Sequence, residues 1–201
     1  YGIILFMKPR DTLQRFVFEH AAIRGEIVHL DSAWRAVLER HEYPPAVRNL
    51  LGELMAAAVL LSAMLKFNGS MILQIQGNGP VNLLVVESTS ERTLRGMAQW
   101  SGELASMQFP ELVGQGKFVI TIDPREEGQR YQGIVGIEGE TVSEALENYL
   151  ARSEQIDSRL WLAAALAIAV LALAAAVLWR RPAVPVNRPL LAVMPVGNQS
   201  G

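Results

Sequence analysis

Between Thr12 and Leu30 hydrophobic and polar positions alternate in part within β-branched and aromatic segments, and the pattern predicts two strands, Thr12 to Phe18 and Ala22 to Leu30, joined near His20 and Ala21. The period then lengthens. "DSAWRAVLER" opens on Asp31, a helix-capping residue type, and sets Trp34, Val37 and Leu38 on one face, which predicts a short helix. "YPPAVRNLLGELMAAAVLLSAMLKF" has a proline in its first turn and runs apolar on nearly every side after Glu53, so it predicts a long, buried central helix. Alternation returns in "SMILQIQ" and "VNLLVVES", which "GNGP" joins as a hairpin. Strict alternation puts Met71, Leu73, Ile75, Val81, Leu83 and Val85 on a face that meets the helices. It puts Ile72, Gln74, Gln76, Asn82, Leu84 and Val86 on the other, mixed face.

Three further strands are expected at Leu94 to Trp100, Lys117 to Ile122 and Arg130 to Ile137. "GETVSEALENYLARSEQ" then predicts a closing helix capped by Thr141, with Glu144 three residues on. The glycines of "YQGIVGIEGE" suit a twisted strand approached closely by a neighbour. The fold class is therefore α+β: a mixed, largely antiparallel sheet packed against helices, one of them long, central and buried.

The run "LWLAAALAIAVLALAAAVLWRR" changes this picture. From Leu160 to Trp179 no residue carries a charge or a side-chain amide, and about 20 such residues in a helix match the ~30 Å hydrocarbon core of a bilayer. Trp161 and Trp179 stand where an aromatic belt would, with Leu171 near the midpoint and arginines at both flanks. A buried alanine-rich helix satisfies the same composition. The chain thus divides into an extension (1–11), a globular domain (12–159), an apolar helix that is either a transmembrane span or a core helix (160–181), and a proline-rich tail (182–201). "YGIILFM" at the start lacks the basic region and cleavage site of a signal peptide.

Composition removes several function classes. A net charge of −2, with acids and bases interleaved, is not the footprint of a nucleic-acid binder. The 201 residues include no cysteine, so thiol catalysis and thiolate metal sites are excluded from them. Glu19 beside His20 and Asp31 near His29 have no serine nucleophile placed with them, and no catalytic site is assigned. The "GNGP" and "GQGK" segments lack the spacing of a phosphate loop and are expected to be hairpin turns.

"RFVFEHAAIRGEIVHL", "LLSAMLKFNGSMILQIQGNGPVNLLVVE", "LRGMA" and "RYQGIVGIEGETVSEALENYLARSEQIDSRLWLAA" together resemble the N-terminal domain of the 33 kDa heat-shock chaperonin family, from about Thr12 to Ala164. The resemblance implies a bacterial cytoplasmic holdase that binds unfolded client proteins without ATP and forms dimers on oxidation. It also implies a separate C-terminal domain holding zinc through C-x-C and C-x-x-C cysteines as a redox switch. No residue here matches those ligands, so the expectation is a client-binding module with no zinc and no redox switch of its own. "LLAVMP", Leu190 to Pro195, resembles the family's last strand. The tail also resembles bacterial membrane regulators in which a span precedes an "AVLPF-N-SGD" strand, which would make the chain a chimera or a membrane-anchored sensory or structural protein with this domain as its cytoplasmic head. For the holdase the mixed sheet face, with Ile72, Leu84 and Val86, is the candidate client surface.

Overall fold

In a computed structural model the described residues are 11–20, 23–65, 67–104, 107–125 and 129–164, together with a short strand at Met194–Pro195. Strands Thr12–Val17 (β1) and Ile23–His29 (β2) form an antiparallel hairpin, and Met194–Pro195 (β8) pairs with the start of β2. The second sheet has five antiparallel strands in the order β5-β4-β3-β6-β7. They are Gly69–Gly77 (β3), Val81–Thr89 (β4), Leu94–Trp100 (β5), Gly116–Pro124 (β6) and Tyr131–Gly136 (β7). The helices are Ser32–Leu38 (α1), Pro45–Met64 (α2), Phe109–Val113 (α3) and Val142–Ser153 (α4).

The central helix is where apolar periodicity placed it. With Pro45 in its first turn, α2 buries Val47, Leu50, Leu51, Leu54, Met55, Ala57, Ala58 and Leu61 against one face of the larger sheet. That face contributes Met71, Leu73 and Ile75 from β3, Leu84 and Val86 from β4, and Phe118 and Ile120 from β6. Among the described helices α2 is the one long and apolar enough to cross a bilayer, and it serves as the core helix. Arg15 of β1 donates to the Ala63 carbonyl at the C-terminal end of α2 and pairs with Glu26 at 2.9 Å, which ties the hairpin to the helix end.

Several local readings need correction. Asp31 does not cap α1 with its side chain; its carboxylate accepts instead from Arg35 at 2.6 Å. The cap comes from Asp11, whose Oδ1 accepts from the Asp31 and Ser32 amides at 2.6 and 2.9 Å, because the hairpin brings the chain's earlier residue to the helix start. "GNGP" does join β3 to β4, but "GQGK" is no hairpin turn: Gly114 ends α3 at a φ of 66°, and β6 begins at Gly116. The two segments lock together, with the Asn78 side-chain oxygen accepting from the Gln115 amide at 2.8 Å and the Gly79 amide donating to the Val113 carbonyl at 2.8 Å.

The closing helix α4 starts as expected, with Thr141 Oγ1 accepting from the Glu144 amide at 3.1 Å. On the core face Tyr149 of α4 lies across β7 at Gly133, where a methyl group would overlap the tyrosine hydroxyl. Glu154 accepts hydrogen bonds from Tyr149 at 2.9 Å and Tyr131 at 2.7 Å. Burial, then the hydrogen bonds to Tyr131 and Glu154, pushes the Tyr149 phenol far above its usual range.

Candidate functional site

In an antiparallel sheet directly opposed residues share a face, so the register assigns every side chain of the five strands to one face or the other. The core face is covered by α2. The opposite face carries a row that crosses all five strands: Met97, Val85, Gln74, Val119 and Ile134. Four of the five are apolar, and the row is about 19 Å long at the usual ~4.8 Å strand spacing. One flanking row reads Gln99, Leu83, Gln76 and Lys117; the other reads Arg95, Glu87, Ile72, Thr121 and Gln132.

The result is an apolar stripe with a polar border. In the second of these rows Arg95 pairs with Glu87 at 2.7 Å and the Gln132 amide donates to Thr121 Oγ1 at 3.1 Å. Ile72, Leu83, Val85, Met97 and Ile134 stand outside the hydrophobic core, whereas Val119 on β6 is itself buried, 4% exposed, as is Thr121 two positions along at 6%. Met97 is 40% and Ile134 54% exposed, high values for large apolar side chains, and they stand at the two ends of the row.

The register corrects the alternation argument. Leu84 and Val86 are fully buried on the core face, opposite Ile75 and Leu73, and are not available to a client. A bulge between Val81 and Leu83 shifts the parity of β4, so Val81 and Leu84 both face the core although three positions apart. Leu83 and Val85, expected inside, lie on the open face. Of the three residues proposed from sequence only Ile72 is there. Val85, Met97, Val119 and Ile134 were missed because they sit on four different strands, and only the register brings them into line.

The start of the apolar run also differs from the expectation. Leu160 to Ala164 are not helical. Leu160 is buried, its amide donating to Glu147 at 2.7 Å, Leu162 packs on the core, and Trp161 is 45% exposed. Leu171 and Trp179 lie outside the described residues.

No reactive constellation of described residues accompanies the stripe. Among the described residues no three histidine or carboxylate side chains gather as metal ligands. Glu19, His20 and His29 are exposed at the hairpin, and His41 packs edge-on against Tyr43 and Trp100, ring centres 4.8 and 5.4 Å away. The most perturbed carboxyl, Glu53 on α2, is pushed up to about 7 by burial. What this arrangement can do is cover, and be covered by, apolar segments of another chain.

A five-stranded antiparallel sheet with a long helix on one face defines an α+β domain, and the same architecture is found in a solved protein. The crystal structure of the 33 kDa chaperonin (heat shock protein 33 homolog) of Thermotoga maritima superposes with a TM-score of 0.66 at 26% identity, covering 75% of this chain and 54% of that one. The family model described as Hsp33 protein matches residues 11–179, and the chain belongs to that family. It is 53% identical over 158 residues to the 33 kDa chaperonin of Methylobacillus flagellatus, covering 78% of this chain and 54% of that protein. To the 33 kDa chaperonin of Nitrosococcus oceani it is 51% identical over 159 residues, covering 79% and 54%. The chain spans about half the length of the curated relatives it matches.

Proposed function

We propose that this chain is the client-binding part of an ATP-independent holdase: it covers apolar segments of unfolded proteins and keeps them from aggregating. The observation that carries the reading is the stripe Met97–Val85–Gln74–Val119–Ile134, an apolar row on the sheet face away from α2 whose ends, Met97 and Ile134, stay exposed, in a domain whose relatives are named 33 kDa chaperonins. A row of unbranched, branched and amide side chains with no deep pocket selects for apolarity and not for sequence, which is what a binder of many clients requires. No step of this activity needs a nucleotide or a catalytic group, and the chain works as a binding protein in the cytoplasm expected for the family.

Residues 1–201 hold no cysteine. The protection they give is therefore independent of thiol redox state, and they carry no zinc of their own. The membrane-anchored alternative draws no support from Leu160 to Ala164, which lie on the domain instead of opening a helix. The direct test mixes the purified full chain with a chemically unfolded client and follows light scattering on dilution. Suppression near one chain per client supports the reading, and scattering equal to that of the client alone rejects it.

A further inference from the structure

We infer that β7 is a docking edge on which an extended segment of an unfolded client adds as a sixth strand, its side chains continuing the apolar stripe. The inference rests on the holdase reading and deepens it.

The geometry follows from strand parity. The Ile137 amide donates to the Gly116 carbonyl at 3.0 Å, so the residues of β7 that share its parity, Tyr131, Gly133 and Val135, turn their amides and carbonyls toward β6. Gln132, Ile134 and Gly136 turn theirs outward. In the order β5-β4-β3-β6-β7 no described strand lies beyond β7, and the backbone groups of these three residues make no hydrogen bond among the described residues. Their side chains lie on the open face, where Ile134 ends the stripe. The unpaired main-chain groups and the end of the apolar row therefore occupy the same strand.

β7 also lacks the usual defences of a sheet edge. "YQGIVG" contains no proline, no charge and two glycines, whereas exposed edges elsewhere are blunted by charged side chains, prolines or covering elements. The opposite edge, β5, carries Arg95 and contacts α1. Main-chain pairing is common to every polypeptide, which matches the occupant to the chemistry: an extended, uncharged and apolar stretch of an unfolded chain, held by backbone hydrogen bonds with alternate side chains on the stripe.

Hydrogen exchange on the full chain, free and saturated with reduced carboxymethylated lactalbumin, tests this amide by amide. The amides of Gln132, Ile134 and Gly136 are expected to exchange rapidly in the free chain and at least tenfold more slowly in the complex. Ile134→Pro removes one outward amide without touching the β6 ladder, and should suppress aggregation at least fivefold less than Ile134→Ala, which loses the side chain but keeps the amide. If the proline variant does not fold, as thermal melting will tell, the exchange result stands alone. Unchanged exchange in a formed complex, or equal activity of folded proline and alanine variants, overturns the edge and leaves the holdase reading in place. Protection already present in the free chain also overturns it, because a second copy or the chain's own residues then fill the edge. No complex and no suppression of aggregation by the unmodified chain overturns both.

Discussion

Two adjacent residues of β4 offer the sharpest test of the site, because Leu84 and Val85 point to opposite faces of the sheet. Leu84 is fully buried beside Ile75 and under α2, while Val85 stands half-buried at the second position of the stripe. Leu84→Ala removes about three methylene equivalents from a packed core and should cost about 2–5 kcal/mol. For a domain of this size that lowers the melting temperature by roughly 5–15 °C. Val85→Ala deletes apolar surface that touches no core residue, and its cost should stay near the ~1 kcal/mol span of strand propensities.

Binding should respond the other way round. Val85→Asp puts a carboxylate where a client's apolar segment would lie, and burying it without a partner costs about 2 kcal/mol, roughly a thirtyfold weaker complex. The assay pairs thermal melting with light scattering of a diluted, chemically unfolded client, titrated with each variant. The expected outcome is a destabilised but active Leu84→Ala, assayed below its melting transition, and a folded but inactive Val85→Asp. If Leu84→Ala melts with the unmodified chain while Val85→Ala loses several kcal/mol, the register of β4 is wrong. A folded Val85→Asp that protects its client fully removes the stripe from the site.

Three further outcomes are expected. Gly133→Ala should cost about 2–4 kcal/mol by thermal or urea melting, since its methyl must displace the buried Tyr149, and Tyr149→Phe in the same chain should recover part of that loss by removing the overlapping hydroxyl. Glu53 binds its proton more tightly folded, at about 7, than unfolded, at 4.5, so stability falls as pH rises through that window; Glu53→Gln should stabilise the chain by up to about 3 kcal/mol at pH 8 and by little at pH 4, as urea titrations at the two pH values would register. Client protection by the full chain should be equal with and without reductant, and metal analysis should find no stoichiometric zinc; protection that vanishes in reductant would contradict the cysteine-free reading.

Much of the architecture was legible because it rests on local signals. The long apolar period of α2, the Thr141 cap of α4 and the turn chemistry of "GNGP" each depend on residues a few positions apart. α3 carries a local signal of the same kind: Gln108 and Glu111 cap it reciprocally, the Gln108 amide donating to Glu111 at 2.9 Å, and Pro110 stands in its first turn. Other features lay beyond local pattern. The Asp11 cap of α1 acts across 20 residues of chain, and the bulge in β4 leaves no mark on the alternation of "VNLLVVES". A one-residue shift exchanges every side chain between faces, so one unseen bulge was enough to send Leu84 and Val86 to the wrong side.

The open face can be apolar because the domain does not depend on it. Its hydrogen bonds are made within the sheet, and its stability comes from the face that α2, Tyr149 and the buried residues of β3, β4 and β6 fill. Substitution at the exposed positions of the open side, such as Met97 and Ile134, is thus tolerated by the fold, while an apolar residue kept there leaves surface in water that folding does not recover. A row of four apolar residues in line across five strands, exposed at both ends and bordered by glutamines and the Arg95–Glu87 ion pair, fits selection for binding better than for packing. The bulge adds to this: by turning Leu84 and Val86 inward it completes the core opposite Ile75 and Leu73, and by the same step brings Val85 into line with Met97, Val119 and Ile134.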